Sequence, residues 1–176
     1  MKQVLQNFRS GELRVDEVPA PVLKPKYVLV QNLFSVVSAG TERHAVDFAN
    51  KSLLDKARAR PDLVRKVMQY AQTDGIATAY QLAISRLDDW RPLGYSSVGQ
   101  VLEVGEGVTQ FAIGDLVACA GANYANHAEL ICVPMNLVAR VEEGVNARFA
   151  AFSTLGAIAL EGGNLGMIDV ALMIEE

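Results

Sequence analysis

Between Gly94 and Ala120 the chain repeats one pattern: a short run of apolar, β-prone residues, a glycine, and another run. Val98, Val101, Leu102 and Val104 lead into Gly105-Glu106-Gly107, and Gly114-Asp115 precedes Leu116-Val117-Ala118-Cys119-Ala120. Glycine accepts the positive φ of a tight turn, so glycines between apolar runs dictate reversals of chain direction. Short strands that reverse this often build a small antiparallel barrel.

The flanks agree. Residues 3–37 read as β structure: Glu12 to Val18 alternates, turning Leu13, Val15 and Val18 inward, and Tyr27 to Val37 is a long Val- and Leu-rich strand. Pro19, Pro21 and Pro25 keep the intervening stretch out of a central strand. Ala128–Val133 and Leu137–Val141 are further short strands, and Asn146 caps a final helix over Ala147–Leu160. Residues 44–90 differ. Pro61 suits a first helical position, and Leu63, Val64, Val67, Met68 and Ala71 recur at helical spacing. Thr73-Asp74-Gly75 breaks the pattern, and a second apolar stripe starts at Ile76. The expected fold is therefore mainly β: a partly open barrel over residues 1–160, interrupted by a helical insertion, with a short tail over 161–176.

The residues Gly94-Tyr95-Ser96-Ser97-Val98-Gly99-Gln100-Val101, continuing through Gly105, Gly107, Val108, Phe111, Gly114, Asp115 and Val117, resemble the medium-chain dehydrogenase/reductase pattern G-H-E-x-x-G-x-V-x-x-V-G-x-G-V-x-x-F-x-x-G-D-x-V. Ala39-Gly40-Thr41-Glu42 resembles that family's C-G-T-D segment, and Ala125-Asn126-His127-Ala128-Glu129 resembles the segment that enters its strand ending near Pro134. The resemblance covers about residues 1–160 and implies the GroES-like, substrate-side domain of an NAD(P)-dependent oxidoreductase.

Two parts of the family's chemistry are missing from the sequence. Zinc-dependent members ligate the metal at places that here carry Ala39, Tyr95, Ser96 and, near the third ligand, Ser153 or Thr154. Zinc takes Cys, His or carboxylate donors, so no metal is expected, and nothing in the spacing of Glu42, His44 and His127 asks for one. The resemblance instead leaves Tyr95, Thr41 and His44 as catalytic candidates, with Tyr95 where the metal-binding histidine stood. Thr41 and His44 match the family's proton-relay positions. Each has a plainer reading: Thr41 as a helix cap, His44 as a solvated first-turn residue, Tyr95 as a ring filling the vacated site. His127 reads as a surface or turn residue. The nucleotide unit is the other gap. Glu161-Gly162-Gly163-Asn164-Leu165-Gly166 does not follow a strand, so no cofactor-binding residue is assigned here. NAD(P)H is expected only for an intact enzyme, through a Rossmann domain on a longer or separate chain.

Composition narrows the partners. The net charge of −4 argues against nucleic acid, and no apolar run reaches the ~20 residues of a membrane span. Residues 43–91 hold nine basic and six acidic side chains against seven and fourteen elsewhere, a solvated helical face or a surface for an acidic protein. Cys119 and Cys132 read as buried free thiols in a reducing compartment, hence the cytoplasm. The small-molecule substrate is unspecified. The competing expectation is a non-enzymatic barrel that binds a protein through its helical insertion, or a remnant with no activity.

Overall fold

In a computed structural model the described residues are 1–7, 10–38, 40, 55, 58, 61–78 and 89–164. Its strands are β1 (Lys2–Asn7), β2 (Leu13–Glu17), β3 (Tyr27–Ser35), β4 (Trp90–Pro92), β5 (Ser96–Val104), β6 (Leu116–Ala120), β7 (Leu130–Pro134) and β8 (Val138–Arg140). The helices used below are α1 (Pro61–Asp74), α2 (Ala147–Ala150) and α3 (Ser153–Asn164). Contacts divide the chain into two units. One takes Met1–Gln3, Asp16–Val37 and Leu93–Glu176, the other Val4–Val15 and Ser38–Pro92.

The first unit is built on a five-stranded sheet of order β7-β3-β5-β6-β8, with every neighbouring pair antiparallel. The glycine-spaced stretch supplies its centre. Val30 stands opposite Val101 and Ile131, Gly99 opposite Val117, and Ser97 opposite Cys119. Val28, Val30, Val101, Val117, Ile131 and Val133 are buried together on one face, as β-branched side chains on a pleated surface should be. The other face buries Val36 and Val98 against Ala151, between α2 and α3. The β3–β5 register shifts twice, between Leu29 and Val30 and between Asn32 and Phe34, and such bulges bend and twist a sheet. Gly99 permits the close pairing: a Cβ there would stand 2.2 Å from the Gln31 carbonyl oxygen.

The second unit carries a three-stranded sheet of order β2-β1-β4. Leu5, Gln6 and Asn7 pair antiparallel with Pro92, Arg91 and Trp90. Helix α1 starts at Pro61 and stops before Gly75, whose φ is 87°. Residues 40, 55, 58 and 76–78 are helical too, so the described part of the insertion is helical, and the strand signal resumes at Trp90 rather than after it.

Four expectations need correction. Leu13 and Val15 point outward, 51% and 65% exposed. The intervening Arg14 is the residue that packs, its guanidinium 3.7 Å from the centre of the Trp90 ring. Ile76, placed on a buried stripe, is exposed. Cys132 is only half-buried, whereas Cys119 is fully buried; both are free thiols. The final helix is two helices. Asn146 does cap the first, its side chain accepting from the Arg148 amide at 2.9 Å. The chain then breaks at Ala151, whose carbonyl accepts from the Ser96 hydroxyl at 2.6 Å.

Candidate functional site

The glycine-spaced stretch that carries the resemblance begins at Gly94, and so does the site. Gly94 has φ 99°, and a Cβ there would stand 2.7 Å from the His127 backbone nitrogen and 3.0 Å from His127 Nδ1. Only glycine fits both the backbone angle and the space. The His127 amide donates to the Leu93 carbonyl at 2.8 Å, and the Gly121 amide donates to the Tyr95 carbonyl at 2.9 Å. Residues 93–95 are thereby clamped between two segments that follow β6.

Tyr95 is half-buried just ahead of β5. Ser96 is fully buried on the helix-facing side, spending its hydroxyl on Ala151. Ser97, also fully buried, lies on the opposite face, directly across from Ser35 on β3 and Cys119 on β6. Ser35 Oγ and His127 Nδ1 are 2.8 Å apart and hydrogen-bonded, with the donor set by the ring's tautomer. Asn32 holds the loop that carries His127: its Nδ2 donates to the carbonyls of Asn126 at 3.0 Å and Ala128 at 2.8 Å, one on either side of the histidine. The carbonyl acceptors fix the orientation of this amide. Its Oδ1, together with Asn126 Oδ1 and Ser97 Oγ, is buried without a partner. Each such group costs about 1–3 kcal/mol, so the polar end of this sheet is held at the expense of stability. Burial pushes the neighbouring Cys119 thiol up to about 12, leaving it neutral and poorly nucleophilic.

The candidates taken from the sequence fare unequally. Tyr95 stands at the mouth of β5. Thr41 and His44 lie outside the described residues, as do Ala39 and Glu42. The segments expected to carry the metal ligands do meet, through Ser96 and Ala151, three residues before Thr154. The donors there are unsuited to zinc: Ser96 is committed to a carbonyl, Ser153 is exposed, and Thr154 Oγ1 is buried without a partner. Among the described residues, no group of three His, Cys, Asp or Glu side chains could hold a metal. Gly162 and Gly163 sit in the last turn of α3. The His127–Ser35 pair was not legible in the sequence, because its members are 92 residues apart and meet only once β3 and β7 are in register.

The backbone just described is shared with known structures. The chain superimposes on galactitol-1-phosphate dehydrogenase from Escherichia coli with TM-score 0.58 and 19% identity, over 86% of this chain and 41% of that one. Quinone oxidoreductase from Escherichia coli, solved with NADPH, gives 0.55 and 16%, over 87% and 37%. The JamJ enoyl reductase gives 0.56 and 20%, over 85% and 38%. What these likenesses show is a shared fold: the chain is mainly β with the GroES-like arrangement of curled sheets. This GroES-like domain spans about two-fifths of the length of those structures. No family model and no curated protein sequence matches it. Among the described residues, no helix is long and apolar enough to cross a membrane.

Proposed function

We propose that the chain is the substrate-side domain of a zinc-independent, cytoplasmic NAD(P)-dependent oxidoreductase acting on a small carbonyl or alcohol. The nucleotide would be held by a separate Rossmann domain. The observation that carries this reading is the Ser96 hydroxyl locked onto Ala151 at 2.6 Å. The residue beside the lost metal-binding histidine has become an internal strut, which leaves Tyr95 as the polar group at that place. A reduced nicotinamide held by that domain would supply the hydride, two electrons and one hydrogen, for the carbonyl carbon. The task of this chain is to hold the substrate oxygen and give it a proton. The Tyr95 phenol is suited to that, and Thr41 and His44 are proposed as further polar contacts. General acid catalysis contributes about 10²–10⁴-fold, so Tyr95→Phe in an active protein containing this domain should lower kcat at least about tenfold. Steady-state NADPH oxidation with quinone, enone and ketone substrates measures it. Full kcat in Tyr95→Phe, Thr41→Ala and His44→Ala together would refute a catalytic role for this domain and favour a module that binds a protein through its helices.

A further inference from the structure

We propose that the outer edge of β2 pairs with the same edge of a second copy of this chain, about a two-fold axis at Val15. This does not depend on the oxidoreductase reading. β2 ends its sheet and is bonded on one side, to β1. The hydrogen bonds at its two ends say which of its residues face outward. The Asn7 amide donates to the Glu12 carbonyl at 2.9 Å, and the Val18 amide donates to the Met1 carbonyl at 2.9 Å. The Met1 amino terminus returns a bond to the Val18 carbonyl at 2.8 Å. Position 12 against 7 and position 18 against 1 belong to one continuous antiparallel register. Backbone groups alternate sides along a strand, so positions 12, 14, 16 and 18 bond toward β1. Leu13, Val15 and Glu17 therefore turn their amides and carbonyls away from it. The Glu17 amide is taken by Asp16 Oδ1 at 3.1 Å, which leaves the backbone of Leu13 and Val15 as the open edge. Their side chains are exposed as well. Sheet edges are commonly guarded by proline or lysine, and Leu13–Glu17 contains neither.

The charges select the occupant. Antiparallel pairing about Val15 places Arg14 of each copy opposite Asp16 of the other, and Val15 opposite Val15. Opposite charges directly across a strand pair attract. Moving the axis one residue either way sets Arg14 against Arg14 or Asp16 against Asp16, and like charges there repel. The stacking of Arg14 on Trp90 holds the positive charge at that point of the strand. The same axis joins the Leu13 and Val15 side chains of both copies into one apolar stripe on one face of a continuous sheet. The strand is thus self-complementary in backbone, charge and apolar face, as a two-fold contact between identical surfaces requires.

Sedimentation velocity on the 176-residue chain reads the association. Dimerisation with a midpoint of about 10–100 µM is expected, as suits a contact smaller than a standard interface. Val15→Pro removes an outward N–H and spares the β1 ladder, so it should abolish the dimer with an unchanged far-ultraviolet circular dichroism spectrum. Two charged variants locate the axis. Val15 is 65% exposed, so neither charge should disturb the fold. Val15→Lys and Val15→Glu should each be monomeric, because the new charge meets its own copy, and an equimolar mixture of the two should dimerise. A wild-type chain still monomeric at about 1 mM overturns the proposal. So does a Val15→Lys chain that dimerises like wild type, since the copies then meet elsewhere, on the apolar side of α3 for example. A mixture that stays monomeric overturns the axis at Val15.

Discussion

Gly99 and Gly94 show how much one missing methyl group can decide. At Gly99 an added Cβ meets the backbone of Gln31 rather than a side chain that could turn away. Gly99→Ala should therefore destabilise by about 2–3 kcal/mol, the upper range for forced overpacking, read from urea midpoints with unchanged slope. Cys119 gives a pH test. Its thiol ordinarily titrates near 9.0 and is raised to about 12 by burial. A folded-state value above the unfolded one means the contribution is intact below about pH 9 and is lost as pH rises toward 12, by up to about 1.4 kcal/mol per unit. Between pH 8 and 10.5 the urea midpoint of wild type should fall more steeply than that of Cys119→Ala; parallel curves would count against this account. At pH 8 a thiol reagent should modify the half-buried Cys132 and spare Cys119 in the native protein.

The elements divide into those that local sequence dictates and those that it does not. The strand–glycine alternation from Gly94 to Ala120 predicts β5 and β6 because turn chemistry and strand period are both local. The cap at Asn146 is equally local, and Asn146→Ala should cost about 1 kcal/mol of stability by thermal melting. Asp115 of the same motif has a structural role: its Oδ2 accepts from the Ala112 amide at 2.8 Å and from Arg140 at 2.7 Å, tying the turn before β6 to β8. The failures share a cause in distance along the chain. Leu13 and Val15 read as inward because alternation gives a period without saying which phase is buried, and the choice was made by Trp90, 76 positions after Arg14. The helix over 147–160 is interrupted at Ala151, whose carbonyl accepts from Ser96 on a strand fifty-five residues earlier, a partner no local window contains. Of the site, Tyr95 was legible through its place in the motif, whereas the Ser35–His127 pair depended on a register that no short window contains.

At the scale of the molecule, α2, the turn after it and the described part of α3 leave Phe149, Phe152, Ile158 and Leu160 exposed, with Phe149 at 74%. The isolated chain should bind an apolar dye such as anilinonaphthalene sulfonate in its native state, and Phe149→Ser should reduce the fluorescence by a clear fraction. On the proposed division of labour it should bind NADPH no tighter than about 1 mM, equivalent to about 4 kcal/mol, in a calorimetric titration. Elemental analysis should find no stoichiometric zinc; one zinc per chain would overturn the metal-free reading. The contact between Gly94 and the His127 backbone has a consequence for how such a chain can evolve. Neither position is free to drift while the other stays, because a side chain at 94 has to enter the volume that the loop at 126–127 already fills. A saturation library at position 94 alone should return glycine and little else. A joint library that also varies residues 125–128 should recover other solutions, each with its own placement of the ring at 127. The glycine thus acts as a latch on the lineage, holding one arrangement of the loop until both are released at once.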